Sequence, residues 1–282
     1  MRRRRFCSGL LATLAGPVLA AALADPALAA DETPLERIRR RGSLVVGVYQ
    51  DMPPFHVGGA GIDVELARAL AAALGVQLSL LPFHAGENMD DDLRSVVWRG
   101  HYLGWGPADV LLHVPVEPAL MAANPRVQVL APYYRERVAI ARRRDALPAL
   151  DDLSMLRGRP VAVAGQSLPG WLLIGADGGA LRETLQTRWP DGSAAAVALR
   201  DGLVVAAAGL QSELESTLRD DPRFAITPLP APRAPRDGWA IGCAVRKEAS
   251  DLGQALQQAM RVLQGDGSLG RFFAAAGVTW RL

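Results

Sequence analysis

Residues 108–140 read ADVLLHVPVEPALMAANPRVQVLAPYYRERVAI. The opening ADVLLHV is a short, unbroken apolar run, the pattern of a strand buried on both faces. Proline and asparagine punctuate the middle, which reads as a loop. VQVLAPYYRERVAIARR is then extended over a length that leaves one sheet and enters another. Upstream, SLVVGVY (43–49) is a strand rich in β-branched residues, and QDMPPFHVGGAG turns the chain. IDVELARALAAALG places Val64, Ala67, Leu70, Ala71 and Leu74 on one helical face, and Gly75 stops the helix. VQLSLLPF is a second strand, and DDDLRSVVWRG a second helix with acids in its first turn, where the dipole favours them. Strand and helix alternating in this way predict a parallel α/β sheet.

Downstream, the pattern predicts a strand at RPVAVAG, a helix after Pro169, a helix over ALRETLQTRW, a strand at AAAVAL and a helical segment from Gly209 to Leu218. APRAPRDGWAIGCAV is a proline-rich return crossing that runs into a strand. The chain closes with an amphipathic helix, a Gly-Asp-Gly break and a short second helix. There is no internal repeat. Two extended crossings between two α/β regions predict a discontinuous lobe of residues 32–136 plus 236–282, and a second lobe of residues 137–235. Ligands of such folds sit between the lobes, at the carboxyl ends of strands.

The 282 residues are 50% apolar and 21% charged, a soluble globular balance. The formal charge is +2, but the first 30 residues hold four arginines and one aspartate, so the remainder carries −1. A near-neutral body excludes nucleic acid as a partner. Residues 1–30 read as a secretory signal: an arginine n-region, an apolar stretch from Leu10 to Leu23 broken by Gly16 and Pro17, and Ala27-Leu28-Ala29 before the cut. That run is too short for an anchor, so the exported chain is expected in the periplasm and not spanning a membrane. An arginine-rich n-region serves either the general or the twin-arginine export route. Of the two cysteines Cys7 leaves with the signal, and Cys243 remains alone as a small hydrophobe.

Four blocks in order carry a resemblance: LERIRRRGSLVVGVYQDMPPF with GIDVELARALAAALG; ADVLLHVPVEP; APYYRERVAIARR with LRGRPVAVAGQS; and GWAIGCAVRKEASDLGQALQQAMRVLQGDGSLGRFF. Together they make the chain similar to family 3 of the periplasmic solute-binding proteins, the amino-acid-binding type. The resemblance implies a two-lobed type II clamp, each lobe a sheet flanked by helices, that closes on a small solute for ABC-type uptake through a permease. In that family a Thr-Pro-x-Arg pattern follows the lobe-one strand, and its arginine forks onto the solute carboxylate. The matching letters here are Glu117-Pro118-Ala119-Leu120. The family's lobe-two aspartate, which pairs the ammonium, falls on Val205 in GLVVAAAG. A buried carboxylate or ammonium without a partner costs several kcal/mol. The solute is therefore expected not to be a zwitterionic amino acid.

A second likeness is to the solute-binding-like accessory proteins of PQQ-dependent alcohol dehydrogenases, carried by Asp109-Val110 to Val114-Pro115 and by Pro132-Tyr133-Tyr134-Arg135. It implies a quinoprotein dehydrogenase as partner. A third possibility is a clamp-derived dehydratase, with Glu117 or His113 as general acid or base. Such an enzyme needs a cationic grip on its substrate, which the sequence does not supply. It also lacks a G-x-S-x-G elbow, a phosphate loop and a Cys–His pair, so no catalysis and no cofactor are expected.

The candidate ligand residues follow strand ends. Tyr49, Asp51 and Phe55 follow the first strand, and His113 and Glu117 the third. Gln166 and Ser167 open a lobe-two helix whose N–H groups could face an anion, and Trp171 could line that wall. The aromatic loop WRGHYLGWGPAD is either a rim or a wedge over the core. His56, His84, His101 and His113, with Glu87, Asp90, Asp91, Asp92 and Asp109, show no metal-ligand spacing, so no metal is expected.

Overall fold

The computed structural model describes residues 32–282; the expected signal segment, residues 1–30, lies outside them. Residues Thr33–Leu282 form one compact unit. Pro34–Arg41 (α1) starts at a capping box between Thr33 and Glu36 and ends at Gly42, whose φ of 76° glycine tolerates freely. The first lobe continues through Ser43–Tyr49 (β1), Ile62–Ala73 (α2) and Gln77–Phe83 (β2). Met89–Asp92 (α3) runs on into a π-helical segment, Leu93–Trp98. Val110–Pro115 (β3), Pro118–Ala123 (α4) and Val127–Glu136 (β4) complete this part. The second lobe holds Val138–Arg143 (β5), Val161–Val163 (β6), Leu168–Gly175 (α5), Leu185–Gln186 (β7), Gly192–Arg200 (α6), Ala206–Leu210 (β8), Gln211–Leu218 (α7) and Phe224–Pro228 (β9). The chain then returns through Trp239–Arg246 (β10), Ser250–Gly265 (α8) and Ser268–Ala275 (α9).

Each lobe is a five-stranded sheet, in the orders β2-β1-β3-β10-β4 and β7-β6-β8-β5-β9. β1 is parallel to β2 and β3, but β10 is antiparallel to β3 and β4. The sheet is therefore mixed, not wholly parallel. β4 leaves for the second lobe and β10 comes back through the same junction, so the two must run in opposite directions. β5 stands likewise antiparallel to β8 and β9. One face of the first sheet buries Leu44, Val46, Leu112 and Val245 against Leu66, Leu70, Leu256 and Phe273 of α2, α8 and α9. The other face packs Leu111 and Ala244 against Leu93, Val96 and Val97. That approach needs Gly47, where a Cβ would lie 2.5 Å from Val96 Cγ1.

Two elements of the second lobe differ from the sequence reading. AAAVAL lies inside α6, not in a strand. Asp191 caps that helix by accepting from the Ala194 N–H at 2.7 Å, and alanine is the best helix former. The alanine-rich strand is the next such run, β8, buried at the centre of its sheet. ALRETLQTRW forms turns and the short β7, with only Leu181 buried in it; one apolar anchor cannot hold an amphipathic helix down. β9 and α4 were not visible in the pattern.

Between β4 and β5 stands a single residue, Arg137, and the return crossing spans residues 229–238. The C-terminal tail straps the same side of the molecule. Trp280 Nε1 donates to the Tyr133 carbonyl at 2.7 Å, and the Arg135 N–H donates to the Arg281 carbonyl at 2.9 Å. The Thr279 N–H donates to Glu215 of α7 at 2.9 Å, and the Arg281 guanidinium pairs with the same carboxylate. The tail thus joins β4 of one lobe to α7 of the other.

Candidate functional site

The carboxyl ends of β1 and β3 open onto a cavity of about 490 Å³ between the lobes. Tyr49, Gln50, Asp51 and Met52 line it after β1, and His113 and Pro115 after β3. Ala85, Gly86, Asn88, Met89 and Asp92 supply one wall. Glu136 and Trp239, each next to one of the crossings, line the junction, and Leu210, at the end of β8, is the contribution of the second lobe.

Three carboxylates face this space, and the two buried ones have neutral donors only. Asp92, 6% exposed, accepts from the Gly86 N–H at 2.7 Å and from the Tyr49 hydroxyl at 2.9 Å. Burial pushes its carboxyl above the usual range in spite of those bonds. Burial first, and the Asp92 charge second, push the Tyr49 phenol up as well. Glu136 is wholly buried and accepts from the Ser212 hydroxyl and from the Arg137 N–H at 2.9 Å; burial raises its carboxyl too. Asp51 is exposed at φ 54°.

His113 owes its place to a bulge. Gly242 of β10 pairs with Val114 and Ala244 with Leu111, so Leu112 and His113 together oppose Cys243 alone. His113 takes a φ of 63°, unusual for a side chain larger than glycine. Its freed N–H donates to the Tyr133 hydroxyl at 3.1 Å, which donates to Asp63 Oδ1 at 2.8 Å. His113 Nδ1 stands 3.4 Å from Asp63 Oδ2 and makes no hydrogen bond. Asp63 itself is buried in the first turn of α2, where the dipole favours a negative charge.

Tyr49, Asp51 and His113 are brought together on the lining of this cavity. Phe55 is not: it is 1% exposed and packs at 4.2 Å on His113 and at 6.2 Å on Phe273, behind the cavity. Glu117 is exposed at the start of α4, outside the lining. Gln166 is exposed, and the Ser167 hydroxyl is committed to its own helix end, accepting from the Gly170 N–H at 3.2 Å and donating to the Ala164 carbonyl at 2.6 Å. Trp171, 66% exposed, lines a separate hollow of about 540 Å³ in the second lobe with Leu168 and Pro230. Leu120 packs half-buried on the core of the first lobe, and Val205 precedes β8 at the end opposite Leu210, which is the end that lines the cavity. The aromatic loop exposes Tyr102 and stacks His101 on Trp105 at 4.3 Å, also outside the lining. Asp92, Glu136 and Trp239 line the cavity too, and the strand-end reading of the sequence does not point to them as ligand residues. The two crossings were the signal that could have found the last two.

Among the described residues, no group of three His, Cys, Asp or Glu side chains could hold a metal ion, and no helix is long and apolar enough to cross a membrane. No protein-family model matches the chain. Its backbone follows an amino acid ABC transporter substrate-binding protein from Streptococcus pneumoniae bound to L-arginine, with a TM-score of 0.61 and 20% identity over 89% of this chain and 100% of that one. The fold is that of a type II periplasmic binding protein. An ancestral cationic amino acid solute-binding protein gives a TM-score of 0.67 at 19% identity, covering 86% of this chain and 99% of its own. The L-cystine-binding protein TcyJ of Escherichia coli is 43% identical over 58 residues, which are 19% of this chain and 22% of that protein's length. The chain thus matches about a fifth of the length of this curated relative.

Proposed function

We propose that the protein captures a small solute in the periplasm and presents it to an ABC-type permease. The observation that carries this reading is the cavity at the carboxyl ends of β1 and β3, faced by Leu210 across a one-residue junction. In this reading residues 32–136 with 236–282 and residues 137–235 are the two jaws, residues 1–30 direct export, and Tyr49, Asp51 and His113 touch the solute. Most of the structures it resembles are binding proteins, which favours capture over catalysis. The solute is not a zwitterionic amino acid, because no Lys or Arg lines the cavity and a carboxylate would be buried unpaired. Two of the solved neighbours are a protein bound to L-arginine and a cationic amino acid binding protein; this chain has acidic groups in its cavity but no basic grip.

Thermal unfolding of the exported chain with a panel of amino acids, amines, alcohols and organic acids tests the reading. A true solute at a hundredfold its Kd adds about 2.7 kcal/mol and raises Tm visibly. Stabilisation by free amino acids overturns the second part of the proposal; no stabilisation by any small solute overturns the first.

A further inference from the structure

The charged groups of the interlobe cavity are all of one sign. Asp51, Asp92 and Glu136 line it, and neither lysine nor arginine does. The nearby arginines are engaged or set apart: Arg94 pairs with Asp91 at 2.7 Å, Arg135 donates to the Asp237 carbonyl at 3.3 Å, and Arg137 lies outside the lining. His113 is the one lining side chain that can become a cation. It is 7% exposed, its Nδ1 makes no hydrogen bond, and Asp63 stands 3.4 Å behind it.

A further anion in this space would meet like charges beside two buried carboxylates, whereas a cation would offset them. A bare metal ion does not fit, since no three ligating side chains converge among the described residues. The rest of the lining suits an organic body. Tyr49 and Trp239 add aromatic surface to the lining, a residue type that attracts cations, and Met52, Met89 and Leu210 are apolar and adaptable. We propose that the cavity takes a small organic cation without a carboxylate, an amine or quaternary ammonium, whose charge lies against Asp51 and Asp92 and whose body lies on the aromatic and methionine side chains. The proposal rests on the reading of this cavity as the capture site.

Isothermal titration of the exported chain tests it with matched probes. Choline and agmatine are the cations, betaine and L-arginine their carboxylate-bearing counterparts, and 3,3-dimethyl-1-butanol a neutral isostere of choline. At least one cation should bind, its carboxylate counterpart should bind tenfold or more weakly, and Asp92→Asn should weaken the cation tenfold or more. Asp51→Asn, an exposed position whose Tm should not change, repeats the test if Asp92→Asn does not fold. Equal binding of the neutral isostere, or no effect of either substitution, overturns the cation while leaving solute capture intact. Tighter binding of betaine or L-arginine overturns the exclusion of carboxylates. No binding by any probe, together with a flat solute panel, overturns both this inference and the capture reading.

Discussion

His113 and Phe55 show how far a strand end can be read. His113 lies within β3, where the bulge opposite Cys243 brings it to the cavity, whereas Phe55, in the turn after β1, is buried on His113 and Phe273. A run buried on both faces has no alternation, so no sequence pattern records where such a bulge falls. Phe55→Ala should therefore cost about 3–5 kcal/mol in chemical denaturation, as a core truncation does, whereas Trp171→Ala should leave both stability and solute affinity nearly unchanged. Glu213 belongs to this scale as well. Its carboxylate accepts from the Leu210 and Gly192 N–H groups at 2.7 and 3.1 Å, yet burial raises its pKa to about 7. An acid raised on folding binds its proton more tightly in the native state. Its burden on stability is absent at acidic pH, grows as pH climbs from the ordinary carboxylate range towards 7, and is complete above that. Glu213→Gln should gain on the parent protein across that interval, by up to about 3 kcal/mol, when denaturation midpoints are compared at pH 5 and pH 8.

Among the elements, β1, β3 and β10 were legible as short apolar runs and α2 and α8 by their helical period, and all stand where their residues place them. The second lobe was harder because alanine serves both of its neighbouring runs. AAAVA in α6 and AAAG in β8 differ little in hydrophobicity, and only the cap at Asp191 and the sheet position of β8 separate them. Tertiary context decides such segments, as propensity is a weak prior. The C-terminal tail is a different kind of element, with no regular structure but a dense set of bonds to Glu215. Glu215→Ala should unpair a half-buried arginine and the Thr279 N–H at once. Chemical denaturation should register a loss near the lower end of the about 3–5 kcal/mol that breaking a buried pair costs, since Arg281 keeps 24% of its side chain exposed.

For the molecule as a whole, the plan of two sheets joined by two crossings was legible from the lengths of the extended segments around Tyr134 and Trp239. What was not legible is which side chains each crossing offers to the cavity, because Glu136 and Trp239 read as ordinary strand residues. A one-residue link between β4 and β5 concentrates any rearrangement of the jaws on a few backbone angles. A bound solute should therefore lower the radius of gyration in small-angle X-ray scattering without altering the circular dichroism of the chain; an unchanged radius with proven binding would mean that the lobes do not close.

The position of β10 also sets an order of assembly. This strand lies between β3 and β4, so β4 has no neighbour in its sheet until the last fifth of the chain arrives. The second lobe, by contrast, is one uninterrupted segment and holds all its strands before β10 is made. As the polypeptide emerges, whether from the ribosome or from an export channel, the second lobe can mature first while the first lobe waits as an unfinished three-stranded layer. A chain stopped after residue 238 should protect residues 138–228 from protease and leave 43–136 open to it.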